Sequence, residues 1–350
     1  MNEHLSTPAL VVDLDVFEAN VAAMEGMLRG TGKTVRPHAK THRTPELAKR
    51  QLGGSAVGIT CSTVGEAEAM VDAGIDDVLI ANEVVDEAKL ARIAELTRAA
   101  NITVAADDPG PVAALSAAAQ RAGVTVGVLI DVDILLHRCG VASPAEAVAL
   151  ARAIASLPGV RLRGLMGYEG RVRLSTERRE ERIAGAYSTL HDARAALIDA
   201  GFSVEVVSSA GTSTLREALA DPCITEVQAG VYALMEPELL AMDLPFRCAV
   251  SVRGTVISRH GGRFIADVGR RVVGVEYGPP VPVGIDAKSV ALSDEHATVT
   301  MEGDPPALGT TVDFIPGQIR TTFNLHDRVW VERAGKILDC WPVTARGSSQ

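Results

Sequence analysis

The chain has 350 residues, 47% of them apolar and 22% charged, with a net charge of -10. A chain this long with this apolar share can bury a sizeable core, and one large barrel or two domains is expected. The acidic balance argues against nucleic acid as a partner, since phosphate backbones need a basic face.

No apolar run reaches the roughly 18 residues of a membrane span. Met1-Asn2-Glu3-His4 lacks the basic and apolar regions of a signal peptide, so a cytoplasmic protein is expected. Five scattered cysteines, with no C-x-x-C spacing, support neither a disulfide framework nor a zinc knuckle.

In chain order, Leu10 to Leu14 reads as a short strand. Asp15 to Gly30 has helical spacing, with Phe17, Val21, Met24 and Leu28 on one stripe. A regular alternation then begins. Eight short apolar runs, at 34–39, 56–60, 77–81, 102–106, 124–131, 162–168, 203–208 and 226–231, are spaced by amphipathic stretches such as 64–73, 85–100, 111–122 and 144–157. Several of these stretches end in Ala-Gly or Pro-Gly, a helix exit. Eight strand–helix units predict an α/β fold, a (β/α)8 TIM-type barrel. The competing doubly wound sheet lacks a G-x-G-x-x-G after its first strand.

Past Leu244 the rhythm changes. Strand-like segments at 249–258, 264–268, 297–301, 310–315, 328–332 and 337–343 are separated by Gly, Pro and charged turns. These predict a mostly β C-terminal domain. The expected division is a barrel at 15–244 and a β domain at 1–14 and 245–350.

Barrel chemistry gathers at the C-terminal strand ends. Those ends carry Lys40, Thr60-Cys61-Ser62, Asn82, Asp107, Asp131-Val132-Asp133 with Arg138, Tyr168-Glu169, Ser208 to Thr212, and Gly230-Val231-Tyr232. Lys40 lies among Arg36, His38, His42 and Arg43, with no acid before Glu46. Such crowding favours the neutral amine, a nucleophile able to form an imine. A plain basic surface loop is the simpler account of the same residues. Ser209-Ala210-Gly211-Thr212 follows the seventh strand and opens a helix, where small residues and free amides cradle an anion; an ordinary Ser/Thr cap is the simpler account here. An amine after strand one and an anion cradle near strands seven and eight suit pyridoxal 5'-phosphate.

The pieces T-P-A-L-V-V-D-L-D (7–15), R-P-H-A-K-T-H (36–42), G-I-T-C-S-T-V-G-E-A-E (58–68), I-A-N-E (80–83), G-L-M-G-Y-E-G (164–170), T-E-V-Q-A-G-V-Y (225–232), N-L-H-D (324–327) and W-P-V-T-A-R-G (341–347) occur in order along nearly the whole chain. With D-V-D ahead of Arg138, they resemble the fold-type III pyridoxal phosphate enzymes, in the D-threonine aldolase / D-serine dehydratase family. The resemblance implies an alanine racemase-like barrel plus β domain, with the first strand joining that domain. It also implies a homodimer with active sites at the interface. By carry-over, Lys40 binds the cofactor covalently, and Ser209, Gly211, Thr212, Gly230 and Tyr232 hold its phosphate. Arg138 and Tyr168 flank its ring. His38, His42, Tyr168 and His326 are the candidate acid–base groups, with His42 read as structural.

The chain departs from this family at one place. The family holds a divalent metal through a His and, two residues on, a Cys or Asp, just before N-L-H-D. Gln318 and Arg320 stand at those positions. An arginine cannot shed its proton to become a ligand, and a neutral amide is a poor one, so no metal is expected there. A guanidinium suits a carboxylate, which makes Gln318 and Arg320 candidate substrate contacts; a structural ion pair is the alternative for Arg320. Arg171 stands where the family commonly has a His. The expected activity is retro-aldol cleavage or dehydration of a small D-3-hydroxy amino acid. A metal-independent amino-acid racemase or epimerase is the alternative.

Overall fold

The structure, a computed structural model, describes residues 5–170, 172 and 174–350. Arg171 lies outside the described residues. In order, the first part of the chain gives β1 (Ala9–Asp13), α1 (Leu14–Leu28), β2 (Thr34–Val35), α2 (Pro45–Gln51), β3 (Ile59–Cys61), α3 (Val64–Asp72), β4 (Asp77–Glu83), α4 (Glu87–Leu96), β5 (Asn101–Ala106) and α5 (Pro109–Ala122). Then come β6 (Val126–Asp131), α6 (Pro144–Ser156), β7 (Val160–Met166), α7 (Arg179–Asp199), β8 (Val206–Ser209), α8 (Leu215–Ala220) and β9 (Glu226–Val227). The last part gives β10 (Val250–His260), β11 (Arg263–Ala266), β12 (Val281–Pro282), β13 (Ala287–Leu292), β14 (Ala297–Met301), β15 (Thr311–Ile315), α9 (Ile319–Leu325), β16 (Arg328–Arg333) and β17 (Lys336–Pro342).

Two compact units result. One comprises Glu25–Lys40, Leu47–Gly230 and Ser348–Gln350; the other comprises the chain up to Met24, Thr41–Glu46 and Val231–Gly347. The first is the barrel. Its parallel strands run in the order β2-β9-β8-β7-β6-β5-β4-β3. Isolated bridges Val35–Ala56 and His38–Thr60 join β2 to the β3 side of the curled sheet. Leu79, Ala105, Leu129 and Met166, one from each of β4 to β7, form a buried layer. This is the (β/α)8-type architecture expected from the alternating runs.

Local chemistry explains why the helices begin where they do. The side chains of Thr63, Asp86, Asp108 and Ser143 each accept an amide of the first turn, and Pro109 and Pro144 open two of these helices. Such caps satisfy amides that the helix itself leaves without partners. Gly123 closes α5 in the left-handed region. Gly164 is required by contact as well as by conformation. Its φ is +147°, and an added Cβ would fall 2.0 Å from the Val206 carbonyl oxygen across the β7–β8 ladder.

The second unit is mostly β, as expected. β1 lies inside its sheet, antiparallel to β10 and parallel to β16. The strand path is β13-β14-β11-β10-β1-β16-β17, with β15 pairing both β10 and β12. Alternate residues of β10, Val250, Val252 and Val256 among them, are buried. This is the period-2 burial of a sheet with one face covered. Among the described residues, no helix is long and apolar enough to cross a membrane.

Candidate active site

The strand carrying Lys40 is short. After Val35 the chain leaves the ladder, and Thr60 fixes it instead: its amide donates to the Pro37 carbonyl (2.9 Å) and its hydroxyl to the Arg36 carbonyl (3.0 Å). One 3-10 turn, Ala39–Thr41, then presents Lys40 at the C-terminal end of β2. The side chain is half-buried, and its Nζ lies 5.7 Å from the centroid of the Tyr168 ring. His38 precedes it, buried.

The crowd of cations read from the sequence is thinner than expected. Arg36 turns away from the strand-end cluster, toward Asp77, the first residue of β4, and Glu226 on β9 (Nε–Oε2 2.9 Å). Alternation along an extended chain sends Arg36 and its neighbours to different sides. In the other unit, Arg43 donates to the Asn324 side-chain oxygen. His42 is fully buried there; its Nδ1 accepts the Thr44 amide (3.1 Å) and its ring meets Phe323 edge-on. It is a structural residue.

Tyr168 follows β7, and Gly211 lies on the loop after β8. A methyl placed on Gly211 would sit 3.5 Å from the Tyr168 ring and 3.6 Å from its hydroxyl. Lys40 and the Ser209–Thr212 loop therefore meet around one aromatic ring. Ala210 holds φ at +69° in this loop, a conformation that costs an alanine about 1 kcal/mol or more and tends to persist where function requires it. Beneath the loop lies Glu169, 3% exposed. Thr214 donates its hydroxyl to this carboxylate, and the Gly211 amide donates to the Thr214 oxygen (3.3 Å). The Ser209 hydroxyl donates to the Gly167 carbonyl (2.7 Å) and lies 3.5 Å from Glu169. Burial pushes the Glu169 carboxyl above its usual range, against the pull of Thr214, its own backbone, Gly211 and Ser209. Glu169 was visible in the sequence as an acid after an apolar run, yet only the structure shows that it organises the cradle.

A second acid is notable. Asp131 ends β6 at 5% exposure, hydrogen-bonded to Glu83 at the end of β4. Burial first, then the Glu83 charge, hold its carboxyl well above the usual range; Arg138 pulls the other way. Arg138 itself is exposed on the loop after β6. Gly230, buried, completes the sequence-expected set in this unit.

The β unit holds the remainder. Tyr232 is 1% exposed and packs on Phe246 at 5.4 Å between centroids. Gln318 caps α9, its side-chain oxygen accepting the Thr321 amide (2.6 Å). Arg320 donates to the Tyr277 hydroxyl (3.1 Å), stacks near its ring, and lies 3.7 Å from the fully buried Glu236 carboxylate. Glu236 also accepts the Ile319 amide (3.2 Å). The two positions that hold a metal in the resembled family are thus a helix cap and one member of a cation–carboxylate–phenol group. This donor set does not fit a divalent metal.

His326 ends α9 and donates Nε2–H to the Val272 carbonyl (2.7 Å). Burial lowers its pKa, a little offset by that carbonyl. The folded state then binds fewer protons than the unfolded state just below the ordinary histidine pKa of about 6.5, so His326 makes stability fall as pH drops through that window. Urea midpoints taken from neutral pH to about pH 5 are expected to fall less for His326→Gln, which keeps a donor for Val272, than for the parent chain. Equal slopes would show that His326 does not titrate as described.

Residues 12–237 match the family model of the alanine racemase N-terminal domain, and 249–332 match a serine dehydratase domain. A D-threonine aldolase of Arthrobacter sp. is 38% identical, covering 99% of this chain and 94% of its own. A 3-hydroxy-D-aspartate aldolase of Paracoccus denitrificans is 33% identical, over 98% and 92%. The crystal structure of a D-threonine aldolase from Filomicrobium marinum superposes with a TM-score of 0.94 at 37% identity, covering 99% of this chain and 97% of that one. With a family model over most of its length and relatives matched nearly end to end, the chain belongs to the alanine racemase N-terminal-domain family, in the branch shared with these D-3-hydroxy amino acid aldolases.

Proposed function

We propose that this protein is a pyridoxal phosphate-dependent lyase acting on small D-3-hydroxy amino acids, by retro-aldol cleavage or dehydration, without a metal at Gln318 and Arg320. The observation that carries the reading is the meeting of Lys40 and the Ser209–Thr212 loop around Tyr168. An amine for an aldehyde, an aromatic wall and a small-residue anion loop are what this cofactor needs. Bound there, pyridoxal phosphate withdraws electrons from the substrate α-carbon.

This chain's residues do the rest. Lys40 would anchor the cofactor, and its amine would hold or give the proton at the substrate α-carbon. Glu169 fixes the loop that carries Ser209, Gly211 and Thr212, which by the family resemblance would hold the phosphate; Gly230 and Tyr232 are assigned to the phosphate by that resemblance alone. By the same resemblance Tyr168 and Arg138 would lie around the ring, and His38, Tyr168 and His326 are the candidate acid–base groups. His326, its pKa lowered by burial, keeps Nε2–H on the Val272 carbonyl and so leaves Nδ1 as the acceptor of the neutral ring. Arg320, oriented by Glu236 and Tyr277, places a fixed positive charge where relatives of the resembled family place an ion, and it attracts a substrate's second carboxylate. A homodimer, implied by the same resemblance, is part of the reading. A reducing cellular compartment also fits, since all five cysteines are free.

The test is incubation with D-threonine, D-serine, D-3-hydroxyaspartate and D-alanine, with and without EDTA. Release of an aldehyde or a keto acid, unchanged within about twofold by EDTA, is the expected result. EDTA-sensitive activity restored by a divalent ion would overturn the metal-independent part. Loss of optical rotation without product release would replace the lyase by the racemase that the altered metal positions also allow.

A further inference from the structure

We propose that His191, Asp221 and Cys223 form a divalent-cation site on the barrel unit, suited to zinc or an ion of similar softness. The three come from separate elements: His191 from α7, Asp221 from the C-terminal cap of α8, and Cys223 from the loop before β9. One ligand atom from each lies within 4.8 Å of the other two. Around a tetrahedral zinc, with bonds of about 2.0 Å to nitrogen and oxygen and 2.3 Å to sulfur, such atoms end up roughly 3.3–3.8 Å apart.

The loop is already fixed in the required shape. Asp221 Oδ1 accepts the amides of Cys223 (2.8 Å) and Ile224 (3.4 Å), while Lys33 donates to the backbone carbonyls of Asp221 and Ile224. Both Asp221 carboxylate oxygens lie 2.9 Å from His191 Nε2. A cation between them takes the place of the proton that this contact shares. Cys223 completes the set from below at 4% exposure, whereas the His191 side chain is 42% exposed and gives an ion a way in. Imidazole, carboxylate and thiol together favour zinc over magnesium or calcium, and three protein ligands leave a fourth position for water.

Two cations face the site. Lys33 and Arg194 stabilise the Cys223 thiolate, which burial otherwise opposes by pushing the thiol up to about 11. They also repel the incoming ion, so binding is weaker than at a closed four-cysteine site. An ion here ties α7 to the loop feeding β9. It is separate from Gln318 and Arg320, and the proposal stands whether or not the lyase reading does.

The full chain, treated with chelator and titrated with Co2+, is expected to show a thiolate-to-cobalt charge-transfer band saturating at one ion per chain. Zn2+ is expected to displace it and, at about 100 times its dissociation constant, to raise Tm by about 4 °C. Cys223→Ser is expected to abolish the band in a protein whose circular dichroism is unchanged. His191→Gln and Asp221→Asn are expected to weaken cobalt binding at least about 10-fold while keeping the loop's hydrogen bonds. The absence of a cobalt–thiolate band in the folded parent chain, or its persistence in Cys223→Ser, would overturn the proposal.

Discussion

Lys40→Ala is expected to give a folded, colourless protein whose turnover is lower by about three orders of magnitude or more. The side chain is half-buried on a single 3-10 turn, while its neighbours Ala39 and Thr41 are buried and keep the turn in place. The melting temperature should therefore move by only a few degrees, against a near-total loss of function. Two readouts make the assignment specific. Borohydride reduction of the cofactor-loaded parent chain should fix the cofactor's mass on the peptide containing Lys40. After incubation with pyridoxal phosphate and removal of the unbound cofactor, a visible imine band should be retained by the parent and absent from the variant. A label on another lysine, or substantial turnover by Lys40→Ala, would remove the observation on which the lyase reading rests.

Arg36→Ala is expected to be the most damaging change for stability, costing about 3–5 kcal/mol, because it leaves a buried carboxylate with no cation. Arg36 is 4% exposed and Glu226 3%. Glu226 divides its oxygens between the Arg36 Nε and the Ser208 hydroxyl (2.6 Å), and Asp77 divides its own between Arg36 and the Asn101 amide (2.6 Å). One guanidinium thus links β2, β4 and β9, and reaches β5 and β8 at second hand. β2 and β9 have only two residues each. Two-residue strands contribute few ladder bonds, so this group carries much of the closure at that side of the barrel. Glu226→Gln added to Arg36→Met should recover part of the loss, since the double variant no longer buries an unpaired charge. If denaturant midpoints for Arg36→Ala stay close to the parent's, the network is not what closes the sheet.

Arg36 also shows where sequence reading reached its limit. The eight apolar runs located every barrel strand, because fully covered parallel strands are nearly continuous apolar stretches. The same signal could not say that β2 ends at Val35, where Thr60 replaces the ladder. Nor could it show that Arg36 points to acids at the far ends of other strands; that depends on which residues the closed ring brings together. In the β unit, β13 was missed. Its segment Ala287–Leu292 sits at the sheet's edge with exposed alternate residues, so it lacks the apolar face that marks a strand. α9 was missed because it has only seven residues and starts from a glutamine cap, outside the usual Ser, Thr, Asp and Asn set. Lys40 and Tyr168 were legible as polar residues at apolar strand ends, and Gly211 as one of the small residues after the seventh run. Glu169 was read as one more polar end, and its role came from Thr214, a hydroxyl 45 residues further on.

The placing of β1 affects how the protein is made. Ala9 pairs with Arg253, and Val11 with Trp330, so this early strand has no neighbours until most of the polypeptide has left the ribosome. At 5–20 residues per second, it waits roughly 10–50 s for β10. During that interval an apolar segment with unpaired backbone groups is exposed, open to chaperones or to self-association. The helices and strands between the two partners can meanwhile assemble, which makes late docking of β1 the step at which yield is most easily lost.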